Sequence, residues 1–265
     1  MDRTPTGRFA VLVQGPEATL QQHLDEATLL IAAHANLGLD VDHYRRRLDA
    51  IAARCAEPVL AEVSHQLFGV EGLRGNDEDY YDPRNSYLDE VLDRRLGIPI
   101  TLSVAFLEVG RRLGLPLAGV SMPGHFLVRL LGEPAVLVDP FVGGGLLSEA
   151  ECEARFRELQ GPTVPWDRAY LEPVATIDIV ARMLNNLRSV HLQRQDSASL
   201  DWVLQLRCLL PGASLDDRSE RAGVLAAQAR FGEAADLLER LADEAPDAKA
   251  ASYSSKAKRL RARLN

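Results

Sequence analysis

The sequence predicts an α+β fold, with helices before and after a short region of β-strand. Residues 24–68 and the chain after Thr176 carry apolar residues at three- and four-residue spacing, which is typical of amphipathic helices. Between them, after Gly114, the spacing of the apolar residues no longer follows the helical period. The segments HFLVRLL and AVLVD, separated by Gly132-Glu133-Pro134, indicate two strands of a hairpin.

The elements leading to this hairpin are indicated by turn and cap residues. Residues 69–84 are rich in Gly, Asp and Asn and predict a loop. Ser86, three residues before Asp89, predicts the N-cap of a helix that runs to about Arg95. Gly97 fits the position just past the end of that helix.

A central helix is predicted over residues 99–113. Pro99 suits its first position, and Gly114 follows its last. The helix carries a single apolar stripe, which we expect to pack against the hairpin. After the hairpin, residues 143–145 predict a turn and helix resumes at Ser148. The stripe consists of Leu102, Ala105, Phe106, Val109 and Leu113.

The C-terminal part contains an internal repeat. Residues 199–211 and 234–246 align without gaps at an offset of 35 residues, and each segment ends in Pro. A period of about 34 residues is typical of tetratricopeptide repeats, with two unrelated amphipathic helices as the alternative. We therefore divide the chain into an N-terminal helical part (1–70), a mixed core (71–172) and a helical domain (173–265).

Composition narrows the class of protein. The net charge of −8 over 265 residues argues against a general nucleic-acid binder, which needs a basic surface. Three Cys without CxxC spacing indicate neither a disulfide framework nor a zinc site, so a reducing cytoplasm is expected. No apolar segment near the N-terminus resembles a signal peptide, and no run of 18 apolar residues indicates a membrane span. No cofactor is indicated.

His125 and Asp139 are the candidate catalytic pair. His125 follows a Pro-Gly turn at the start of one predicted strand, and Asp139 ends the next. In a Cys-His-Asp site the His takes the thiol proton, and the acid orients the imidazole. The nucleophile of such a site usually lies at a helix N-terminus, which here is the segment from Gly97 to Thr101.

Three segments resemble a known family. GIPITLSVAFLEVGRRLGLPLAGVSMPGHFLVR, VLVDPF and the upstream LRGNDEDYYDPRNSYLDEVLDRR resemble the transglutaminase-like core of bacterial SirB-type proteins, over roughly residues 25–250. The resemblance implies a papain/transglutaminase-like core, a helix packed on an antiparallel sheet. It also implies N-terminal helices and a C-terminal α-helical tetratricopeptide-like domain. In that family the core also occurs attached to an F-box, which favours an interaction role by analogy.

The same resemblance identifies the missing member of the triad. Active relatives begin the central helix with Gly-x-Cys, and a gapless match on Gly97 places the Cys position at Pro99. Proline offers neither a nucleophile nor a backbone N–H. Thr101 lies on the other side of the helix, and Ser103 shares the face about 6 Å deeper. A hydroxyl there also lacks the acidity of a thiol.

Other candidate residues have structural alternatives. His125 and Asp139 can form a buried structural pair, and Asp139 before Pro can cap a turn. Tyr80 and Tyr81, with Ser103, are candidate groove-lining residues, although packing explains the tyrosines equally well. The acidic run from Asp77 to Asp79 is interpreted as solvated loop, so no metal site is predicted.

Three functions compete on these observations. The preferred one is a non-catalytic transglutaminase-like protein that binds a protein or peptide through its His/Asp cleft and helical repeats. The alternative is an amidase, peptidase or acyl transferase with an unorthodox nucleophile or a His-activated water. The third is a purely structural member whose cleft is filled by its own side chains. Pro99 is the feature that favours the first over the second.

Overall fold

The computed structural model describes residues 4–132 and 134–264. Most of this chain is helical, and the α-helices precede, interrupt and follow a small sheet. Their bounds are α1 Pro5–Val13, α2 Glu17–Gln22, α3 Leu24–Ala35, α4 Val41–Ala53, α5 Leu60–Ser64, α6 Leu88–Arg94, α7 Pro99–Arg112, α8 Glu149–Gln160, α9 Thr176–Gln193, α10 Ser197–Arg207, α11 Leu215–Ala227, α12 Phe231–Glu244 and α13 Asp247–Arg261.

The strands form two sheets. In the larger sheet four strands pair antiparallel in chain order, with Val128 opposite Val138 at its centre. A two-residue parallel pair joins the loop after α5 to the start of α7. The strands are β1 Arg74–Gly75, β2 Leu96–Gly97, β3 Leu117–Val120, β4 Leu127–Leu130, β5 Val136–Asp139 and β6 Gly145–Leu147.

Helix α7 is the centre of the fold. Every residue from Pro99 to Gly110 is buried. The helix packs against β4, as the apolar stripe predicted, but its other strand neighbour is β3 rather than the expected β5. The approach is close, because a Cβ on Gly110 would lie 2.2 Å from Cδ1 of Leu117. Pro99 occupies the first helical turn, where its missing N–H leaves no intrahelical bond unmade.

Two predicted cap residues were wrong. Ser86 lies in a 3-10 turn, Pro83–Ser86, and α6 starts after Tyr87 without a side-chain cap. Asp82 accepts a hydrogen bond from the backbone N–H of Arg84. This bond caps the 3-10 turn, which therefore begins before Ser86 and includes it. At the other end Arg95, with φ of 66°, takes the left-handed position that was assigned to Gly97. Gly97 pairs in β2 instead.

The predicted hairpin is confirmed as β4 and β5, although Glu133 at its turn lies outside the described residues. The prediction missed β3 and β6, which are three or four residues long and lack clear alternation. It also left α1 and α2 unassigned. Ser148 does begin a helix, as the N-cap of α8 with Glu151 completing a capping box.

The C-terminal helices divide between two hydrophobic clusters. Residues of α9 and α10 such as Leu187 and Val203 belong to the main core, which also contains α3, α4 and α7. Helices α11, α12 and α13 share a cluster of their own, in which Ala234 is fully buried. Within the described chain, no helix has both the length and the apolar character to cross a bilayer.

Candidate functional site

His125 and Asp139 meet at one end of the β4–β5 hairpin. Nε2 of His125 lies 2.8 Å from Oδ2 of Asp139, although His125 precedes β4 by two residues. The turn that delivers the imidazole requires Gly124, whose φ is +80°, and the backbone N–H of His125 donates to the carbonyl of Met122. The structure therefore brings together the pair that the sequence singled out.

Asp139 has two structural partners at once. While Oδ2 contacts the imidazole, Oδ1 accepts a hydrogen bond of 3.0 Å from the backbone N–H of Phe141. That bond caps the 3-10 turn Pro140–Val142. The turn-capping role and the His-orienting role were alternatives in the sequence; in the structure one carboxylate fills both.

The pair is enclosed. His125 is 5% exposed and Asp139 1% exposed. The ring of Phe141 meets the imidazole edge-on, with centroids 6.1 Å apart. Gly75 supports this ring closely, because a Cβ there would lie 2.5 Å from it. An aromatic side chain of the protein thus lies against the His-Asp pair.

No nucleophile stands at the start of α7. Pro99 is buried, and Ile98 before it provides no side-chain cap. Ser103 is fully buried, and its hydroxyl lies 3.5 Å from the carbonyl oxygen of Phe126. Thr101 is fully buried too, and its hydroxyl has no hydrogen-bond partner among the described residues. Neither hydroxyl faces solvent.

The three thiols are all free, and none of them belongs to α7. Burial raises the pKa of each, and the carboxylate of Asp139 contributes to raising that of Cys152 to about 11. Cys152 packs in a cluster with Phe156 on α8, and its side chain is fully buried. A thiol with a raised pKa holds less thiolate at neutral pH, so none of them is an activated nucleophile.

Tyr80 and Tyr81 lie on the loop beside the pair. Tyr80 is 39% exposed and its ring centroid lies 6.4 Å from that of Phe141, which in turn contacts His125. Burial raises the pKa of the Tyr80 phenol, while the charge of Arg182 lowers it. Tyr81 packs edge-on against Tyr80 and is more exposed. Tyr80, Phe141 and His125 therefore form a continuous aromatic row.

Arg182 on α9 is a site residue that sequence reasoning missed. Its guanidinium donates to Oγ of Ser121 and to the carbonyl oxygens of Met122 and His125, at 2.5, 3.1 and 2.9 Å. It also lies over the ring of Phe126, 5.4 Å from the centroid. Burial lowers its pKa. The sequence signal that could have indicated this role is an Arg within the largely apolar segment IDIVARML.

Two buried asparagines were also missed. Nδ2 of Asn76 donates to Oδ1 of Asn85 at 3.0 Å, and Nδ2 of Asn85 donates to the carbonyl oxygens of Asp79 and Tyr80. The backbone of Asn85 accepts from the N–H of Ile98 at 3.3 Å. These bonds fasten the tyrosine loop to the start of α7.

The loop residues 77–79 are of the residue types that ligate metal ions. The acidic residues 77–79 are exposed. In the part of the chain that the structure describes, no three His, Cys, Asp or Glu side chains are placed to hold an ion.

The family comparison matches most of the chain. The family model described as the transglutaminase-like superfamily matches residues 20–185, which include α7, the sheet and the His-Asp pair. No solved structure matches.

Curated relatives are similar over shorter segments. A UPF0162 protein of Xylella fastidiosa is 52% identical over 155 residues, 56% of this chain and 55% of the relative. A UPF0162 protein of Pseudomonas aeruginosa is 34% identical over 193 residues, 68% of this chain and 67% of that protein. F-box only protein 21 of Mus musculus is 40% identical over 104 residues, 36% of this chain and 17% of that protein. The chain spans about half the length of the Xylella relative.

Proposed function

This chain belongs to the transglutaminase-like superfamily, and we propose that it is a non-catalytic member that acts as a binding or regulatory module. The observation that carries the proposal is the start of α7. A buried proline stands where the resemblance to SirB-type proteins places the nucleophile, while the His-Asp partners remain in contact at 2.8 Å.

The chemistry of acyl transfer explains why this loss matters. A general base accelerates attack only when a donor group lies within hydrogen-bond reach of it. Pro99 has no proton to give, and the hydroxyl of Ser103 is turned toward the carbonyl of Phe126. The three free cysteines have raised pKa values. A reducing cytoplasm, which keeps these thiols free, is part of the proposal.

The second part of the proposal concerns the helices from α9 to α13. We assign them to a tetratricopeptide-like array that binds a protein or peptide, with no cofactor, membrane or nucleic acid involved. Each helix packs against the next along the chain, which is the arrangement of helical repeats. Ala234 on α12, where the repeat places a small residue, is fully buried.

An alternative retains enzymatic activity. In it, His125 activates a water molecule for hydrolysis of an amide or acyl substrate, and the intact contact with Asp139 is the observation that favours it. The edge of Phe141 against the imidazole argues against it, because an attacking water needs that space.

The deciding experiment assays four proteins for transamidation of a glutamine peptide with an amine donor and for release of ammonia. They are the natural chain, His125→Ala, Pro99→Cys, and Pro99→Cys with His125→Ala. We expect no turnover by the natural chain. Turnover by Pro99→Cys that needs His125 would show that only the nucleophile is missing.

The opposite outcome is equally clear. Turnover by the natural chain that His125→Ala abolishes would overturn the non-catalytic assignment and support the hydrolase. Thermal unfolding of each variant checks that loss of turnover does not arise from loss of fold. Absence of turnover in both the natural chain and Pro99→Cys would support the structural alternative, in which the protein's own side chains fill the cleft beside the His-Asp pair.

A further inference from the structure

A groove between α11 and α13 lies outside the transglutaminase-like core. Its volume is ≈ 330 Å³. The floor is apolar and consists of Ala222, Ala226, Leu238 and Leu260. A volume of this size accommodates one or two apolar side chains of a bound chain.

Three cations line the same groove: Lys256, Arg259 and Arg263. None of them forms an ion pair with a carboxylate in residues 4–132 and 134–264. On the same helix Lys249 pairs with Asp216 and Arg261 with Glu239, whereas Lys258 has no ion pair among the described residues. Three unpaired positive charges therefore gather at one apolar groove, in a chain of net charge −8.

A second groove of ≈ 460 Å³ lies on the other side of α11, between α9, α10 and α11. Its lining is mainly apolar and includes Leu200, Val224 and Ala227. Gly223 lines both grooves, and a Cβ at this position would meet nothing within 4 Å. The two grooves therefore meet at an open point on α11, over which a ligand longer than either can pass.

We propose that the paired grooves bind an acidic peptide segment that carries apolar side chains. Its carboxylates contact Lys256, Arg259 and Arg263, and its apolar side chains enter the grooves on both sides of Gly223. The assignment rests on the proposed function, since it names the partner chemistry of the helical array. It follows from charge complementarity, because an apolar floor with unpaired cations selects against neutral and basic segments.

A nucleic acid fits these grooves less well. Binding of single strands uses aromatic platforms on which bases stack, and the described residues that line the grooves include no Phe, Tyr or Trp. Tyr253 beside Lys256 is itself buried in the cluster of α11–α13. Phosphate tracking also requires a longer basic surface than three side chains provide.

The test selects dodecapeptides from a random display library on the full chain and measures the enriched peptides by fluorescence anisotropy. Four variants accompany the natural protein. Lys256→Glu with Arg259→Glu reverses the charge at the groove, and Lys258→Glu is a charge control on α13 at a residue that does not line the groove. Gly223→Leu fills the open point, and Ala251→Leu is its exposed control.

We expect acidic peptides with apolar residues to be enriched. Their Kd should rise about tenfold or more in the double reversal and in Gly223→Leu, and by less than about twofold in both controls. Raising NaCl from about 0.05 M to about 0.5 M should weaken binding to the natural chain, because exposed charges are screened. Unfolding midpoints check that Gly223→Leu folds.

Three results would overturn the inference. They are enrichment of neutral or basic peptides, binding that the groove variants leave unchanged, and tighter binding of an oligothymidine than of the acidic peptides. Binding that the groove variants do not affect would contradict this site and leave the binding-module function standing. His125-dependent turnover in the assay described above would contradict the non-catalytic function and leave the groove standing.

Discussion

Nη2 of Arg182 lies 2.9 Å from the carbonyl oxygen of His125, and Nη1 lies 3.1 Å from the carbonyl oxygen of Met122. One side chain from α9 therefore holds both ends of the turn that presents the imidazole to Asp139. These hydrogen bonds connect the turn before β4 to α9, the first helix of the C-terminal part. It makes α9 part of the site, although α9 contains none of the residues that the sequence proposed for it.

Replacing Arg182 by Ala should destabilise the fold by about 2 kcal/mol, because hydrogen bonds made by a charged group contribute about 1.5–3 kcal/mol. Arg182→Lys should recover part of this loss, since an ammonium reaches fewer of the three acceptors. Urea unfolding measures both. The control is Arg194→Ala at the exposed end of α9, which should change stability by less than about 0.5 kcal/mol. Equal effects at both positions would contradict the clamp.

The sequence indicated the His-Asp pair but not the hydrogen bonds of Arg182 that hold the turn before it, because local patterns report only local contacts. His125 and Asp139 stand next to Gly124 and Pro140, whose effects on the backbone are local and readable. The contacts of Arg182 span 57 to 61 residues of chain, so no local pattern reports them. The same holds for β3, which is recognisable only once α7 provides the surface on which it packs.

Cap assignments failed where two local signals competed. Ser86 has the residue type of an N-cap, but Asp82 caps the preceding 3-10 turn and takes Ser86 into it. Arg95 adopts the left-handed conformation even though a glycine follows two residues later. Pairing of Gly97 in the parallel β2 strand accounts for this choice, because the backbone must be extended there.

Asn85→Asp should destabilise the protein by about 3 kcal/mol. The substitution keeps the shape but replaces the amide donor, which bonds to the carbonyls of Asp79 and Tyr80, by a carboxylate that repels them. The side chain is fully buried, so water cannot compensate. The measurement is the urea midpoint, with Asn186→Asp on α9 as control. A loss of under about 1 kcal/mol at Asn85 would show that the loop is held by other contacts.

Ala234→Leu should cost about 1–3 kcal/mol through overpacking of the α11–α13 cluster. Ala234 is fully buried at that contact, whereas Ala251 on α13 is exposed and provides the matched Ala→Leu control. Chemical unfolding of the full chain gives the comparison. An unchanged midpoint in Ala234→Leu would count against close helix packing at this repeat position.

Stability should fall as the pH decreases below about 6.5, because of two histidines beside Trp202. The ring centroids of His34 and His191 lie 5.4 and 6.1 Å from that of Trp202. Burial lowers the pKa of both imidazoles, although Asp196 opposes the shift at His191. Their neutral forms are also engaged: His34 contacts Thr6 and the carbonyl of Leu30, and His191 contacts Tyr87.

The sign of the pH effect follows from proton binding. Below the unfolded pKa of about 6.5 and above the lowered folded values, the unfolded chain binds more protons, so acidification favours unfolding. Above about pH 6.5 both states are neutral at these sites and the contribution is constant. Urea titrations followed by tryptophan fluorescence between about pH 5 and about pH 7.5 measure the slope. His34→Gln with His191→Gln should flatten it relative to the natural chain, and an identical slope in the double variant would assign the acid sensitivity to other groups.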